Sequence, residues 1–331
     1  MTAVIDVHAH AVLGELFGAA GAAGPELGQD DEGRPWFRVG DYVLQGVDYR
    51  GTAFMDPEIR LRKMDEAGID LQVLSPNPIT YFYTLDPDAA VDYCRRHNDL
   101  LAALATGHPG RLRAFATLPM QDIPAAVDEL ERAVTRLGMV GPYIGTEFGT
   151  NLDAPEMDDF YRRVVELNVP LFIHPASTGL GRRPADMRLR RTDLELLVGM
   201  PYEETLATAT LIFGGVLHRH PRLDVCLSHG GGAAAFLYGR LRHAARSRRW
   251  SPDWLRRDGG FEEMFQRLWF DCVVHDPGSL ELLVARAGRE RIVLGTNFAG
   301  WDQEPIPNLG ELGPVFAENG RRLLRLSVEE R

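Results

Sequence analysis

Short apolar runs alternate with longer amphipathic stretches along the chain from Asp56 onward. The short runs have the length of buried strands, and the longer ones repeat apolar residues at helical spacing. The clearest helix is predicted behind a capping Asp122, where Val127, Leu130 and Val134 share one face. With one strand at the N-terminus, the pattern predicts eight strands: 4–7, 71–74, 112–117, 139–144, 170–173, 223–228, 268–274 and 292–295.

Eight strands that alternate with helices predict a (β/α)8 barrel, which holds this many residues as the single domain 1–331. An open doubly wound sheet is the alternative, because strand order cannot be read from one sequence. No predicted strand is followed by a Gly-x-Gly-x-x-Gly turn, so a dinucleotide site is not indicated. Residues 14–52 do not fit the repeating pattern. We predict an insertion there, with a small hairpin in the alternating run 36–49.

Composition and charge exclude several classes of protein. The 331 residues are 45% hydrophobic and 25% charged, which is typical of a globular chain. The formal net charge of -11 argues against nucleic acid or an anionic membrane as a partner. Cys94, Cys226 and Cys272 are far apart, so neither a disulfide framework nor a thiolate zinc site is signalled. With no leader-like segment before the first strand, we expect a cytoplasmic protein.

Four histidines stand where a barrel carries its active site, at the carboxyl ends of strands. His8 and His10 end the first strand and, being two residues apart, share one face. His174 ends the fifth strand, and His229 ends the sixth, before three glycines that allow close backbone approach. A single histidine at a strand end is more often a hydrogen-bonded structural residue than a ligand. The four together predict a divalent metal site at one mouth of the barrel.

Two arginine clusters stand out in this acidic chain, at 182–191 and 240–249. Most of these arginines are expected on solvated helix faces. Arg240 and Arg248 lie about two helical turns apart, just beyond the glycines, where guanidinium groups could hold a carboxylate.

Several blocks in one order give the chain a resemblance to a known family. They are MDPEIRLRKMDEAGIDLQVLS from Met55, TLPMQD from Thr117, LFIHP from Leu171, LVGMPYEET from Leu197, GGVLHRHPRLDVCLSHGGG from Gly214 and FDCVVHDPGSLELL from Phe270. Together they resemble the aminocarboxymuconate-semialdehyde decarboxylase-like family, metal-dependent decarboxylases of the amidohydrolase superfamily.

The resemblance implies a role for each candidate residue. The ion would be zinc, with manganese as an alternative, and no organic cofactor would be needed. A small anionic substrate would be held by arginines, and the family forms dimers in which one such arginine enters the neighbouring site. Carried over, the metal ligands are His8, His10, His174 and the eighth-strand position Asn297, the proton-transfer residue is His229, and the substrate-binding residues are Arg50, Arg240 and Arg248.

Asn297 departs from the family, which has an aspartate at this strand end. An amide oxygen can bind a metal, but it is neutral and cannot act as a base. Either the site tolerates a weaker ligand, or the chemistry has moved away from the family reaction. Asp302 is a carboxylate further along the chain, at a distance from the strand end that makes it a poor replacement.

The predicted activity is non-oxidative decarboxylation of an unsaturated or aromatic acid, of ortho-hydroxy or amino-muconate type. A metal-dependent hydrolase or hydratase on the same scaffold is one alternative. The other is a non-catalytic binding protein whose metal site has degenerated at Asn297.

Overall fold

The computed structural model describes residues 3–176, 186–298, 300, 303 and 309–327. Its strands are β1 (Ile5–Ala11), β2 (Glu26–Gln29), β3 (Pro35–Val39), β4 (Tyr42–Gln45), β5 (Leu71–Pro76), β6 (Leu112–Ala114), β7 (Ala116–Thr117), β8 (Pro142–Ile144), β9 (Leu171–Ile173), β10 (Val225–Leu227), β11 (Trp269–Asp271) and β12 (Ile292–Val293). Its helices are α1 (Pro57–Ala67), α2 (Pro87–Gly107), α3 (Ile123–Leu137), α4 (Met157–Glu166), α5 (Met200–Phe213), α6 (Val216–Arg219), α7 (Ala234–Ser247), α8 (Asp253–Arg256), α9 (Gly260–Phe265), α10 (Pro277–Ala287) and α11 (Leu312–Leu323).

The strands outside the insertion are parallel and form two ladders, β1-β5-β6 and β12-β11-β10-β9-β8-β7. One break falls at Phe115, between β6 and β7, where the strand predicted at 112–117 is split. The backbone N–H of Phe115 donates to Leu74 in one ladder, and that of Ala116 donates to Gly141 beside the other. One continuous stretch of chain therefore belongs to both ladders.

The last strand lies beside the first. The N–H of Val7 donates to the carbonyl of Leu294 at 3.0 Å, and the N–H of Phe298 donates to that of His8 at 3.1 Å. The fold is the predicted (β/α)8 barrel, and all eight predicted strands are present with altered ends. The first is longer than predicted and carries both His8 and His10 within it, whereas the sixth ends before Ser228.

Local signals explain where the helices begin. Asp122 caps α3 as predicted, since its carboxylate accepts from the backbone N–H of Ala125 at 3.1 Å. Asp56 caps α1 in the same way through Ile59. Each of these helices has proline near its first turn and a left-handed glycine after its last.

The insertion holds a three-stranded antiparallel sheet, β2-β3-β4, where the pattern predicts a two-stranded hairpin. The extra strand, β2, escapes the pattern because Leu27 is its only large apolar residue. Phe37 and Val39 of β3 are buried and attach the sheet to the core. The limits 14–52 for the insertion remain a prediction.

Two further findings bear on the composition argument. Cys94, Cys226 and Cys272 are all buried free thiols. Within the described ranges, every helix is too short or too polar to cross a lipid bilayer.

Candidate active site

The four predicted histidines come together at the carboxyl ends of β1, β9 and β10. The ring centroids of His8, His10 and His174 lie 5.0–5.1 Å from one another. His229 joins them, at 4.9 Å from His8 and 5.1 Å from His174. Parallel strands bring these rings together because their carboxyl ends meet at the same end of the barrel.

Backbone carbonyls orient two of the rings. Nδ1 of His10 lies 3.1 Å from the carbonyl oxygen of Pro76, and Nδ1 of His174 lies 3.1 Å from that of Pro175. The imidazole N–H donates in each contact, which leaves Nε2 with a lone pair. Burial lowers the pKa of both histidines well below the usual value, so both rings are neutral near pH 7.

Carboxylates orient the other two rings. Nδ1 of His8 lies 2.6 Å from Oδ2 of Asp271, and Nδ1 of His229 lies 2.8 Å from Oε1 of Glu204. Both carboxylates are fully buried. Burial opposes ionisation of Asp271, but the hydrogen bonds from His8 and from the backbone of Val273, together with the charges of His8 and His229, outweigh it and lower the pKa of this carboxyl group. For Glu204 burial dominates and raises the pKa, although His229 favours the carboxylate form.

The turn after β10 is tightly packed. His229 has a left-handed φ of 44°, which is unusual for a residue other than glycine. Gly232 has a φ of 64°, and a Cβ atom there would lie 2.1 Å from the carbonyl oxygen of Pro201 in α5. Gly232, one of the glycines predicted to allow close approach, therefore holds this turn against α5, the helix that carries Glu204.

Asn297 also reaches the site, beyond the end of β12. It is buried, lines the same cavity as three of the histidines, and has a left-handed φ of 47°, which asparagine tolerates well. The N–H of Gly300 donates to the Asn297 carbonyl at 2.7 Å. Asp302, the other candidate carboxylate, lies outside the described residues.

A cavity of about 800 Å³ opens from the histidines. His10, His174, His229 and Asn297 lie at its polar end. Its walls are mainly apolar and aromatic, as is usual for sites that take small organic molecules. The apolar and aromatic side chains that line it include Tyr42, Leu44 and Tyr49 from the insertion, Phe54 after it, and Phe236 from α7.

The three predicted substrate-binding arginines lie elsewhere on this chain. Arg50, Arg240 and Arg248 are exposed, and none of them is among the described residues that line the cavity. Arg50 instead forms an ion pair with Asp48 at 2.7 Å. Lys63, the chain's single lysine, does line the cavity. The role of the three arginines remains a prediction, and Arg182 and Arg183 of the first cluster lie outside the described residues.

Sequence reasoning missed Asp271 and Glu204. Each lies within a block that carries the family resemblance, FDCVVHDPGSLELL and LVGMPYEET respectively. An acidic residue inside the apolar run of β11 was a signal for Asp271, because a buried carboxylate requires a partner. For Glu204 the signal is weaker, since it follows a second glutamate in a helix.

Comparisons with known proteins agree with this architecture. A family model described as Amidohydrolase matches residues 5–331. A 2-amino-3-carboxymuconate-6-semialdehyde decarboxylase from Dictyostelium discoideum is 35% identical over 263 residues, 78% of this chain and 69% of that protein. The crystal structure of a 2,6-dihydroxybenzoate decarboxylase complexed with 2,6-dihydroxybenzoate has 26% identity and a TM-score of 0.69, covering 82% of this chain and 89% of that one. A dihydroxybenzoic acid decarboxylase from Polaromonas sp. JS666, with bound manganese and 2-nitroresorcinol, has 22% identity and a TM-score of 0.76, covering 98% of each chain.

The chain therefore belongs to the amidohydrolase family. Within it, the chain belongs with the aminocarboxymuconate-semialdehyde decarboxylase-like proteins, as the resemblance implies. The named relatives are carboxy-lyases that act on aromatic or muconate-type acids.

Proposed function

We propose that this protein is a metal-dependent, non-oxidative decarboxylase of an unsaturated or aromatic carboxylic acid. The observation that carries the proposal is the convergence of four imidazoles at the polar end of an aromatic-walled cavity. The decarboxylases among the relatives support the same reaction.

The donor set fits a divalent ion. Nε2 of His8 and Nε2 of His10 are 3.3 Å apart. Two imidazole ligands of a tetrahedral zinc ion, at about 2.0–2.1 Å from the metal, would be about 3.3–3.4 Å apart. His8, His10 and His174 would hold the ion, with Asn297 beside them. Zinc is the proposed ion and manganese the alternative, since imidazole suits zinc and a relative carries manganese.

His229 is close enough to be considered a ligand as well, because one nitrogen from each of His8, His174 and His229 lies within 4.8 Å of the others. We assign it to proton transfer instead. It is only partly buried and lines the cavity, whereas His8, His10 and His174 are buried. The residue that meets the substrate must be reachable from the cavity.

Decarboxylation breaks the bond between the substrate carbon and its carboxylate. Carbon dioxide leaves, the electron pair of the bond stays on the carbon, and that carbon takes a proton. His229 donates this proton from Nε2 and regains one from solvent through the cavity. When bound, a divalent ion supplies positive charge that stabilises the negative charge developing on the substrate.

The cavity walls support a conjugated acid as the substrate. Tyr42, Tyr49 and Phe236 offer flat apolar surface to a ring or a diene. Lys63 supplies positive charge among the described lining residues. One of the arginines that the family resemblance assigns to the carboxylate would act across a subunit interface.

We propose a homodimer on this basis. Leu197, Val198, Tyr202, Leu206 and Phe236 are exposed apolar side chains of α5, α7 and the turn before α5. Two of them, Leu197 and Phe236, also line the cavity. A second subunit on this surface would bury the apolar side chains and border the cavity.

A cytoplasmic location is also proposed. The three free, buried cysteines are compatible with a reducing compartment. Imaging the tagged protein in its native cell tests this location.

The activity test is carbon dioxide release from a panel of ortho-hydroxybenzoic and amino-muconate-type acids, using protein loaded with zinc or manganese. In deuterated water the product should carry deuterium at the carbon that lost its carboxylate. His229→Ala should keep its metal and lose about 100-fold or more in turnover. Addition of water without carbon dioxide release would favour a hydratase, and binding without turnover with either metal would favour a binding protein.

A further inference from the structure

Glu204 is a buried carboxylate that the proposed chemistry does not yet use. It lies on α5, a helix outside the ring of strands, and its side chain is fully buried. Oε1 accepts from Nδ1 of His229 at 2.8 Å and from the hydroxyl of Ser228. Oε2 is also buried, and it has no hydrogen-bond partner among the residues that the structure describes.

Burying a carboxylate costs free energy of folding, and the cost is larger when only one of its two oxygens has hydrogen-bond partners. Its two contacts, Ser228 and His229, belong to the same turn, and both are made by Oε1. The packing of Gly232 against Pro201 holds that turn on α5, so the distance between Glu204 and His229 is set by the backbone. Glu204 is therefore placed to act on the imidazole of His229, the titratable one of its two partners.

A neutral imidazole carries its hydrogen on one of two nitrogens, and the partner of the other nitrogen decides which one. A carboxylate at Nδ1 requires the hydrogen there, which leaves Nε2 to face the other histidines and the cavity. The same carboxylate stabilises the ring when Nε2 also takes a proton.

We propose that Glu204 is the positioning residue of His229, fixing the tautomer in which Nδ1 carries the hydrogen and Nε2 exchanges protons with the substrate. The proposal rests on the proton-transfer role given above to His229. In the step, His229 begins with a hydrogen on both nitrogens. Its Nε2–H bond breaks and a C–H bond forms on the carbon that keeps the electron pair from the departing carbon dioxide, which leaves the neutral ring with its hydrogen on Nδ1. Solvent returns a proton to Nε2, and Nδ1 keeps its hydrogen throughout.

Three variants test this. Glu204→Leu removes the acceptor and the charge, and Glu204→Gln removes the charge but keeps the size. The matched control is Glu203→Gln, which changes a neighbouring buried carboxyl group on α5 that contacts Thr146 rather than a histidine. Each is labelled with ¹⁵N-histidine and loaded with zinc, which is diamagnetic, and the His229 signals are assigned by their loss in His229→Ala.

The parent and Glu203→Gln should show the hydrogen of His229 on Nδ1, and Glu204→Leu should show it on Nε2. With a substrate from the activity panel, Glu204→Leu should lose about 100-fold in kcat, with KM within about threefold and zinc content unchanged. The kcat of Glu204→Gln should lie between that of Glu204→Leu and that of the parent. This second variant keeps the test informative if the leucine variant does not fold.

A parent His229 with its hydrogen on Nε2 would overturn the proposal. The proposal would also be overturned if the hydrogen of His229 stayed on Nδ1 in both Glu204 variants. It would equally be overturned if Glu203→Gln lost as much kcat as the Glu204 variants. If the parent decarboxylates none of the acids, the proposed function fails, but the tautomer measurement still decides the role of Glu204.

Discussion

His97 is predicted to make the protein less stable as the pH falls. It lies in α2, is 2% exposed, and its Nδ1 is buried with no hydrogen-bond partner in the described part of the chain. Burial lowers the pKa of His97 from its ordinary value of 6.5 to about 4. In the unfolded chain the same ring is solvated and returns to its ordinary pKa.

The sign follows from proton binding. Between about pH 6.5 and pH 4 the unfolded state takes up a proton at this residue and the folded state does not, so acid favours unfolding. The free energy of unfolding should lose about 1.4 kcal/mol per pH unit across that window, about 3 kcal/mol in all. The contribution of the neutral His97 to the free energy of unfolding is complete above pH 6.5 and absent below pH 4.

The assay is urea unfolding at pH 7.5, 6, 5 and 4.5, comparing the parent with His97→Gln. Burial also lowers the pKa of His10 and His174, so the pH dependence of the unfolding free energy of the parent alone would combine contributions from several residues. The difference between parent and variant isolates His97, because the glutamine does not titrate. The matched control is His243→Gln, at an exposed position on α7.

The difference in unfolding free energy between parent and His97→Gln should change by about 3 kcal/mol in favour of the variant as the pH falls. The difference in unfolding free energy between the parent and His243→Gln should stay constant over the same pH range. A difference that does not vary with pH would show that His97 is hydrated in the folded protein or is protonated there, and the reasoning from burial would be wrong.

Three further predictions concern the site. Asp271→Asn should weaken metal binding about 10- to 100-fold in a chelator competition, because His8 loses the carboxylate that orients it; unchanged affinity would refute that role. Asn297→Asp should tighten metal binding and alter turnover or substrate preference, since a carboxylate is a stronger ligand than an amide. If it changes neither, Asn297 is not a ligand. Gly232→Ala should abolish turnover by displacing the turn from Pro201, and a crystal structure of the variant with that turn in place would contradict this.

The sequence allowed the fold and the histidine cluster to be predicted because both depend on short-range patterns. Alternating apolar and amphipathic segments indicate a barrel, and the spacing of His8 and His10 places both rings on one face of one strand. The common end of the parallel strands then brings in His174 and His229 without any knowledge of strand order.

The carboxylates that hold these rings could not be found in this way. Asp271 and His8 are 263 residues apart, and Glu204 reaches His229 from a helix rather than from a strand end. Such pairs depend on how the strands and helices pack together in the folded chain, which the periodicity of the sequence does not indicate. The role of Arg240 and Arg248 remains a prediction for a related reason, since their spacing along the sequence does not show what their side chains contact.

The inserted sheet separates two tasks within the site. Tyr42, Leu44 and Tyr49 line the cavity from a segment that contributes no strand to the barrel, while every histidine of the cluster lies at the end of a barrel strand. A substitution in the sheet changes the shape that an incoming molecule must match and leaves the reacting groups where they are. Part of the cavity wall and the reacting groups therefore belong to different stretches of the chain, so exchanging the insertion would change the surface that an incoming molecule meets without replacing any histidine of the cluster.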